Sequence, residues 1–518
     1  MRRAPKPGTE ESTCPSVGDI TASSWPATLR NAGRPPPART LHTRKQGGAP
    51  PAHPHGAAAG TYDLAFAGVF PYAALAPALL LSCIHFTEPM TESARISGIA
   101  KQEADHDPEP ALKMADALQN KNQTDPKIQV TIFAHPLFLK SESMPRFARM
   151  LRDGLAEAGH SATIVRPTAY FSYLFENTRL AKWAGYLDQY IIFPFRVITV
   201  DLTEPKTTLF VFADQALGPW IPFVRRHKTV VHCLDLLALK SALGLVPENL
   251  TSPTGRIYQK YIRWGFRHCR NFISISARTA SDLIRYGEVS AEISEVVHLS
   301  LNYNYRPVDV KTIEERLRGA SIKVTPENYL LYVGGGQWYK NRKGLIRIYK
   351  EYATGASMPL PLVCVSPAPE LELLRQLDDL PNQAKVIFIQ GISNQVLEAL
   401  YSGARAMLFP SLAEGFGWPI VEAQACGCPV ITTDDSPMNE IAGPVARLLP
   451  LLDATSLQSW EKQGALVLNE ILSADGDKRK EEKNSAITWT AKFHPGADIP
   501  EYIEIYKNVL NPIQLNPK

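Results

Sequence analysis

The chain has 518 residues, which is enough for two domains of ordinary size and additional sequence. Its formal net charge is only +4, from 55 Lys and Arg against 51 Asp and Glu. This mild charge, with no basic stripe interleaved with aromatics, argues against nucleic acid as a partner. The seven cysteines are odd in number and scattered, which indicates reduced thiols and a cytoplasmic protein.

The first 125 residues differ in composition from the rest. Residues 1–60 contain ten prolines and one aromatic residue, so we expect a low-complexity, largely disordered extension. Residues 64–84 form an uncharged, mostly apolar segment that is long enough to cross a bilayer. Two interpretations stay open for this segment: a membrane association, peripheral or spanning, and an extension that results from an over-long translation start.

The globular part begins with alternating strands and helices. Lys127 precedes a first strand, a helix is predicted over 145–158, and a second strand follows at 162–165. Three further apolar runs predict strands at 208–212, 229–232 and 271–276. This alternation is typical of a Rossmann-like α/β domain.

A second group of elements begins with the aromatic strand 329–333. A glycine turn containing Gly335 follows, and then three cations, Lys340, Arg342 and Lys343, precede a predicted helix. Such cations can neutralise a leaving diphosphate, although a solvated basic loop is the simpler alternative. We favour Lys343 and Lys340 for the phosphate contact. A phosphate-cradling P-loop is excluded because no Gly-Lys-Ser/Thr follows at the required offset.

The most informative motif lies between the strand 406–411 and the strand 429–433. Glu414 and Glu422 flank Gly415-Phe416-Gly417, with Pro419 just inside a predicted helix and Gly427 just past it. The glycines permit close approach of a ligand, and the helix N-terminus favours a diphosphate. We place Glu422 in the first helical turn, where it either accepts from a ribose diol or merely stabilises the helix end.

The motif and the Ala-Cys-Gly-Cys-Pro-Val-Ile run after it resemble the group 1 family of retaining glycosyltransferases. The resemblance extends from Lys127 to about Leu510 and implies the GT-B fold, in which two Rossmann-like domains face each other across a cleft. We expect an acceptor domain at 126–310, a nucleotide-sugar domain at 311–495, and a C-terminal helix and tail at 496–518.

The same resemblance implies roles for individual residues. Glu422 would contact the nucleotide ribose and Glu414 the donor sugar, while Gly415, Phe416 and Gly417 would supply backbone contacts. The expected reaction moves a hexose, mannosyl or glucosyl, from a nucleotide-diphosphate sugar to a hydroxyl of a glycan or lipid-linked acceptor. The nucleotide sugar is a donor substrate, and no cofactor is expected.

The chain departs from the family pattern at three places. Gly335 stands where an arginine is common, and Leu234 where a histidine commonly precedes the aspartate. Because strand side chains at i and i+2 share a face, His232 could take the place of that histidine as a catalytic residue, unless it is simply buried. The loop after the first strand, which includes His135, lacks the family's glycines.

Two alternatives to a transferase, a non-catalytic binding protein and a glycosidase, each depend on one feature of the sequence, as does the prediction about a metal. Leu234 motivates the alternative of a catalytically impaired, nucleotide-sugar-binding or scaffolding protein. A glycosidase pair of Glu414 and Glu422 is disfavoured because hydrolases place their carboxylates on opposite sides of the scissile bond. We predict no metal, since the Asp-x-Asp triplet 475–477 falls in a charged run that predicts a solvated loop.

Overall fold

The computed structural model of the protein describes residues 126–139, 143–176 and 178–511. The sequence-based predictions for residues 1–125, including the apolar segment 64–84, lie outside this part of the chain. Within the described residues, no helix is both long and apolar enough to cross a membrane.

Apolar strands of the first half form a six-stranded parallel sheet in the order β2-β1-β3-β4-β5-β6. Most of these strands are buried on both faces, which explains their nearly continuous apolar sequences. The strands are β1 Gln129–Phe133, β2 Ser161–Val165, β3 Leu209–Phe212, β4 Thr229–Cys233, β5 Asn271–Ser274 and β6 Ile293–Val296.

Seven helices accompany this sheet in the described residues. Two of them are preceded by a serine whose side chain caps the first turn: Ser252 accepts from Gly255 N, and Ser276 accepts from Thr279 N. The helices are α1 Ser143–Glu157, α2 Phe171–Leu174, α3 Ala181–Leu187, α4 Phe193–Thr203, α5 Leu237–Ala242, α6 Pro253–Phe266 and α7 Ala277–Gly287.

The second half forms another six-stranded parallel sheet, in the order β12-β11-β10-β7-β8-β9. In this sheet the direction in which successive strands are added reverses between β7 and β10. In the first sheet it reverses between β1 and β3. Ligands of such sheets bind outside the carboxyl ends of the strands at these reversals. The strands are β7 Leu330–Val333, β8 Leu362–Val365, β9 Val386–Ile389, β10 Ala406–Phe409, β11 Val430–Thr433 and β12 Arg447–Leu449.

The helices of the second half include one that returns to the first sheet. The Lys228 ammonium donates to the carbonyl oxygens of Val509 and Leu510 at 2.9 Å each, which ties the last helix to the start of β4. The helices are α8 Val310–Gly319, α9 Arg342–Gly355, α10 Leu371–Asp378, α11 Asn394–Gly403, α12 Trp418–Ala425, α13 Met438–Ala442, α14 Leu457–Ser473, α15 Gly476–Thr490 and α16 Ile499–Leu510.

Candidate active site

An ion pair lies at the reversal point of the second sheet. Lys340 follows β7 and Glu414 follows β10, and the Lys340 Nζ lies 2.8 and 3.0 Å from the two carboxylate oxygens of Glu414. Both side chains are largely buried, and the ammonium also lies 5.1 Å from the centre of the Phe409 ring. The structure therefore brings together one predicted cation and one predicted carboxylate at the ligand-binding edge.

Backbone hydrogen bonds fix the two loops that carry this pair. Leu412 N donates to Tyr339 O at 2.7 Å, and the Asn341 side-chain amide donates to Pro410 O at 2.8 Å. Asn341 also caps α9, since its side-chain oxygen accepts from Gly344 N at 3.1 Å. The pair is thus held in place before any ligand binds, as an effective electrostatic site requires.

Glycine is required at two positions of the loop before α12, for a different structural reason at each. A Cβ on Gly415 would lie 2.6 Å from Leu234 O, so only glycine allows the loop to approach the first half of the chain this closely. Ser276 Oγ donates to Gly415 O at 3.0 Å across the same contact. Gly417 precedes α12 with a φ of +103°, a conformation that favours glycine. Because Gly417 is the N-cap residue, no side chain caps the N-terminus of α12. Phe416, between the two glycines, is buried.

A cavity of about 340 Å³ separates the two halves beside this loop. Its walls include Asp235 and Lys240 from the first half and Trp338, Glu414 and Asp435 from the second. The volume is within the range of small-molecule sites. The Arg278 guanidinium crosses between the halves and pairs with the Asp435 carboxylate, which closes one side of the cavity.

Asp235 is one of three carboxylates of the first half that line this cavity, together with Glu248 and Asp282. Burial, together with the negative charges of Asp214 and Glu414, raises the pKa of Asp235 to about 6. Gln215 fixes the local backbone, because its amide nitrogen donates to Asp235 O and its oxygen accepts from Leu234 N at 2.9 Å. The cavity therefore holds an acidic group that is near half-protonation around pH 6.

Glu422 lies in the second turn of α12, not in the first turn as the sequence analysis expected. The helix begins at Trp418, one residue before Pro419, so that Glu422 is its fifth residue. Its carboxylate is buried and accepts from the Tyr401 hydroxyl at 2.9 Å. Burial raises the pKa of Glu422 to about 7. The hydrogen bond from Tyr401 and the positive charges of Arg146 and Lys340 lower this pKa, but by less than burial raises it.

The structure does not bring the other two predicted cations to the Lys340–Glu414 pair. Arg342 is buried and donates to Ser366 Oγ and Pro367 O, and it also pairs with Glu370. Lys343 is half-exposed, with its Nζ 2.6 Å from Glu372 on α10. Arg342 lies against the glycine turn that contains Gly335, since a Cβ on Gly336 would be 3.2 Å from Arg342 Nη2.

The Asp-x-Asp triplet 475–477 is also placed differently from the prediction of a solvated loop. Asp475 caps α15, with its carboxylate accepting from Lys478 N at 2.8 Å, and the rest of the triplet lies in the first turn of that helix.

His232 lies in the core and not in the cleft, so its predicted catalytic position is wrong. Its side chain is fully buried, and Nε2 is 2.6 Å from the Tyr506 hydroxyl of α16. The ring also packs edge-on against Phe147 of α1 and Tyr502 of α16. Burial lowers the pKa of His232 to about 3, which keeps the imidazole neutral. Leu234 shares this face as expected, but α1 and α16 cover the face.

This placement predicts that His232→Ala destabilises the protein without affecting ligand binding. The change leaves a cavity and an unpaired Tyr506 hydroxyl, so we expect a loss of about 2–4 kcal/mol in the free energy of unfolding. Denaturant titration measures this loss, and calorimetry with nucleoside diphosphates measures affinity. A variant of normal stability with weakened binding would contradict the core position.

A histidine–aspartate pair that was not predicted from the sequence lies at the reversal point of the first sheet. His135 follows β1 and Asp214 follows β3, and Nε2 lies 2.8 Å from the Asp214 carboxylate. The signal was available, because polar residues that directly follow neighbouring parallel strands meet at one edge. Asp235 follows β4 at the same edge, and His298, which follows β6, lies with its Nε2 2.6 Å from the Glu440 carboxylate of the second half.

Residues 313–447 match the family model described as glycosyl transferases group 1. This range includes Lys340, Glu414 and Glu422. The O-antigen chain mannosyltransferase RfbU of Salmonella typhimurium is 28% identical over 36% of the chain and 48% of its own length. An O-antigen chain mannosyltransferase B of Escherichia coli is 25% identical over 38% and 52%. The matched part thus spans about half the length of these relatives.

Solved structures with the same fold cover three quarters of the chain. A glycosyltransferase from Rickettsia africae has a TM-score of 0.54 at 12% identity and covers 75% of this chain and all of its own. A sucrose-phosphate synthase from Thermosynechococcus elongatus has a TM-score of 0.54 at 19% identity, over 74% and 99%. At these identities the likeness shows the fold alone. The chain therefore has the GT-B fold, and its residues 313–447 resemble the group 1 glycosyltransferases.

Proposed function

We propose that this protein is a retaining, metal-independent glycosyltransferase. It would move a hexose from a nucleotide-diphosphate sugar to a hydroxyl of a glycan or lipid-linked acceptor. The observation that carries the proposal is the buried Lys340–Glu414 pair, which lies at the reversal point of the second sheet in the wall of the cleft cavity. An ammonium and a carboxylate held side by side suit a ligand with a diphosphate on one side and sugar hydroxyls on the other.

The positive groups of the second sheet support the position of the leaving diphosphate. The Lys340 ammonium and the uncapped N-terminus of α12 both favour negative charge at the end of the β10 loop. In the proposed step, the bond between the anomeric carbon and the β-phosphate oxygen breaks while the acceptor oxygen bonds to the same carbon. The leaving phosphate takes the acceptor proton, so that no protein nucleophile is needed.

Glu422 supports the position of the nucleotide. Its buried carboxylate lies in the second turn of α12, where one of its oxygens accepts a hydrogen bond from the Tyr401 hydroxyl. Ribose hydroxyls are donors that an ionised carboxylate accepts strongly. Mannose is the hexose we favour, because several of the similar proteins are mannosyltransferases, two of them of O-antigen chains.

A second candidate function is a nucleotide-sugar-binding or scaffolding protein that does not transfer. Leu234 favours it, because an apolar side chain stands where related enzymes commonly have a histidine, and His232 is buried. His135, which follows β1 and contacts Asp214, is an imidazole at this edge of the first sheet that could serve an active enzyme.

Release of nucleoside diphosphate by the parent protein separates the two candidates, and the Glu414→Gln variant tests the role proposed for Glu414. Glutamine keeps the shape of the side chain but removes the charge that contacts the sugar, so we expect turnover to fall by about tenfold to a hundredfold. Affinity for the free nucleoside diphosphate should change little. The assay follows nucleoside diphosphate release from GDP-mannose, UDP-glucose and related donors, with the exposed Glu315→Gln as a matched control. Equal losses of binding and turnover would contradict the assignment of Glu414 to the sugar.

A further inference from the structure

A continuous helical rod between β2 and β3 exposes a stripe of apolar side chains. It consists of α3, one π-helical turn at Asp188–Ile192, and α4, and the backbone stays helical through both joints. Large apolar residues recur on it every three or four positions, and each is at least 36% exposed. This spacing places them on one face of a helix. They are Leu180, Trp183, Leu187, Ile191, Phe195, Ile198 and Leu202.

The opposite side of the rod fixes its orientation on the protein. Asp188 is buried and accepts hydrogen bonds from Phe171 N at 2.9 Å and Ser172 N at 2.8 Å, at the start of α2. The Trp220 indole donates to Gln189 O at 2.8 Å, and its ring packs against Phe193. The rod therefore cannot turn its apolar stripe inward without breaking this buried network.

Helix α6 extends the apolar surface beyond the rod. The Tyr186 ring stacks on Tyr258 at 5.9 Å, and the Tyr190 ring lies 5.8 Å from Tyr261, which in turn stacks on Trp264. Trp264 is 47% exposed, and Ile257, two turns earlier on α6, is 67% exposed. Apolar residues scattered singly on a surface need no explanation, whereas exposed apolar residues grouped on neighbouring helices mark an interaction site.

The exposed charges around these apolar residues are mostly positive. Arg179, Lys182 and Arg196 are exposed on or beside the rod, and α6 carries Arg256 and Lys260 but no acidic residue. The two acidic residues within the rod are both buried in hydrogen bonds. The Asp188 carboxylate accepts hydrogen bonds from the backbone at the start of α2. The Asp201 carboxylate accepts from the backbone N–H groups of residues 225 and 226 and contacts His227.

We propose that this surface, formed by the rod and α6, docks on an anionic lipid bilayer. Aromatic and aliphatic side chains flanked by exposed cations are the chemistry of a helix that lies in the membrane interface. A second copy of the chain suits the surface less well, because a symmetric contact would bring together two surfaces that both carry exposed cations. The inference does not require sugar transfer, since docking depends on side chains outside the Lys340–Glu414 site.

The connection that leads into α6 lines the cleft cavity. Leu245, in the connection between α5 and α6, lines the cleft cavity and is 47% exposed. A bilayer against α6 would therefore lie near the cavity mouth, where a lipid-linked acceptor would enter.

Flotation of the full chain with vesicles tests the proposal. We expect at least about tenfold stronger binding to phosphatidylcholine vesicles that contain phosphatidylglycerol than to phosphatidylcholine alone, weakening with salt. The double variant Trp183→Ser/Phe195→Ser should bind the anionic vesicles about tenfold more weakly or worse. The control is Met358→Ser/Leu466→Ser, which changes two exposed apolar residues of the second half and should bind as the parent does.

A charge variant tests the cations separately. Lys182→Glu/Arg196→Glu should abolish the preference for anionic vesicles, whereas Lys480→Glu on α15 should leave it unchanged. Parent-like binding by both the apolar and the charge variants would overturn the proposal, as would equal binding to neutral vesicles. A dimer in sedimentation velocity that Trp183→Ser/Phe195→Ser dissociates would overturn it in favour of self-association. Unchanged thermal unfolding and unchanged nucleotide affinity confirm that each variant is folded.

Discussion

Replacing Lys340 with methionine is expected to lower turnover by about a hundredfold or more, the usual effect of losing one preorganised donor at developing charge. Lys340 is the cation that the structure places against Glu414 in the cavity wall. Because its charge is needed most when the diphosphate leaves, the loss should be larger in kcat than in donor affinity. Steady-state kinetics with the preferred donor measures both quantities.

Two controls separate this role from stability. Lys340→Met leaves the buried Glu414 carboxylate without its partner, which by itself costs about 3–5 kcal/mol in stability. The double variant Lys340→Met/Glu414→Gln removes both charges and should recover stability but not turnover. Lys343→Met tests the prediction made for Lys343 from sequence, and we now expect a smaller effect because Lys343 is half-exposed and paired with Glu372. A larger loss of turnover from Lys343→Met than from Lys340→Met would reverse the assignment.

Glu422→Gln is expected to stabilise the ligand-free protein at alkaline pH. Burial raises the pKa of Glu422 to about 7 from an ordinary value of 4.5. The folded state therefore holds a proton more tightly than the unfolded state, and the resulting stability is complete below pH 4.5 and is lost as the pH rises through 7. The loss amounts to about 3 kcal/mol, and a neutral glutamine does not suffer it. The variant should unfold like the parent near pH 5 and at a higher temperature near pH 8.

The same variant should bind nucleotides more weakly. If the ionised carboxylate accepts from the ribose diol, Glu422→Gln weakens nucleoside diphosphate binding by about 1–3 kcal/mol at pH 8. Parent affinity should rise with pH through 7 as Glu422 ionises, and the affinity of the variant should lack this rise. Calorimetric titrations at pH 6 and pH 8 measure both. A variant with parent affinity at pH 8 would remove Glu422 from the nucleotide site.

The local patterns of the second sheet were sufficient to predict its central unit. The strand before Glu414, the proline near the start of α12 and the glycine after its end were all predicted, because turn and cap chemistry is encoded in neighbouring residues. The Lys340–Glu414 contact could not be derived in the same way. Its two residues are 74 positions apart, and only the sheet order brings their loops together.

Positions that depend on packing were predicted less well. The expectation that His232 and Leu234 share a face was sound, but strand periodicity does not say which helices cover that face. Here α1 and α16 cover it, and α16 comes from the opposite end of the chain. The rod shows the same limit, since its apolar period indicates a helix but not that the apolar stripe would face outward.

The most direct test of the central claim is the release of nucleoside diphosphate by the purified full chain, measured by NMR across a panel of nucleotide sugars and acceptors. NMR also reports the anomeric configuration of the product. We predict that one donor is consumed by transfer or slow hydrolysis with retention at the anomeric carbon, and that Glu414→Gln and Lys340→Met suppress this consumption. Tight binding of a nucleotide sugar without any transfer or hydrolysis would contradict the claim and identify the protein as a binding module.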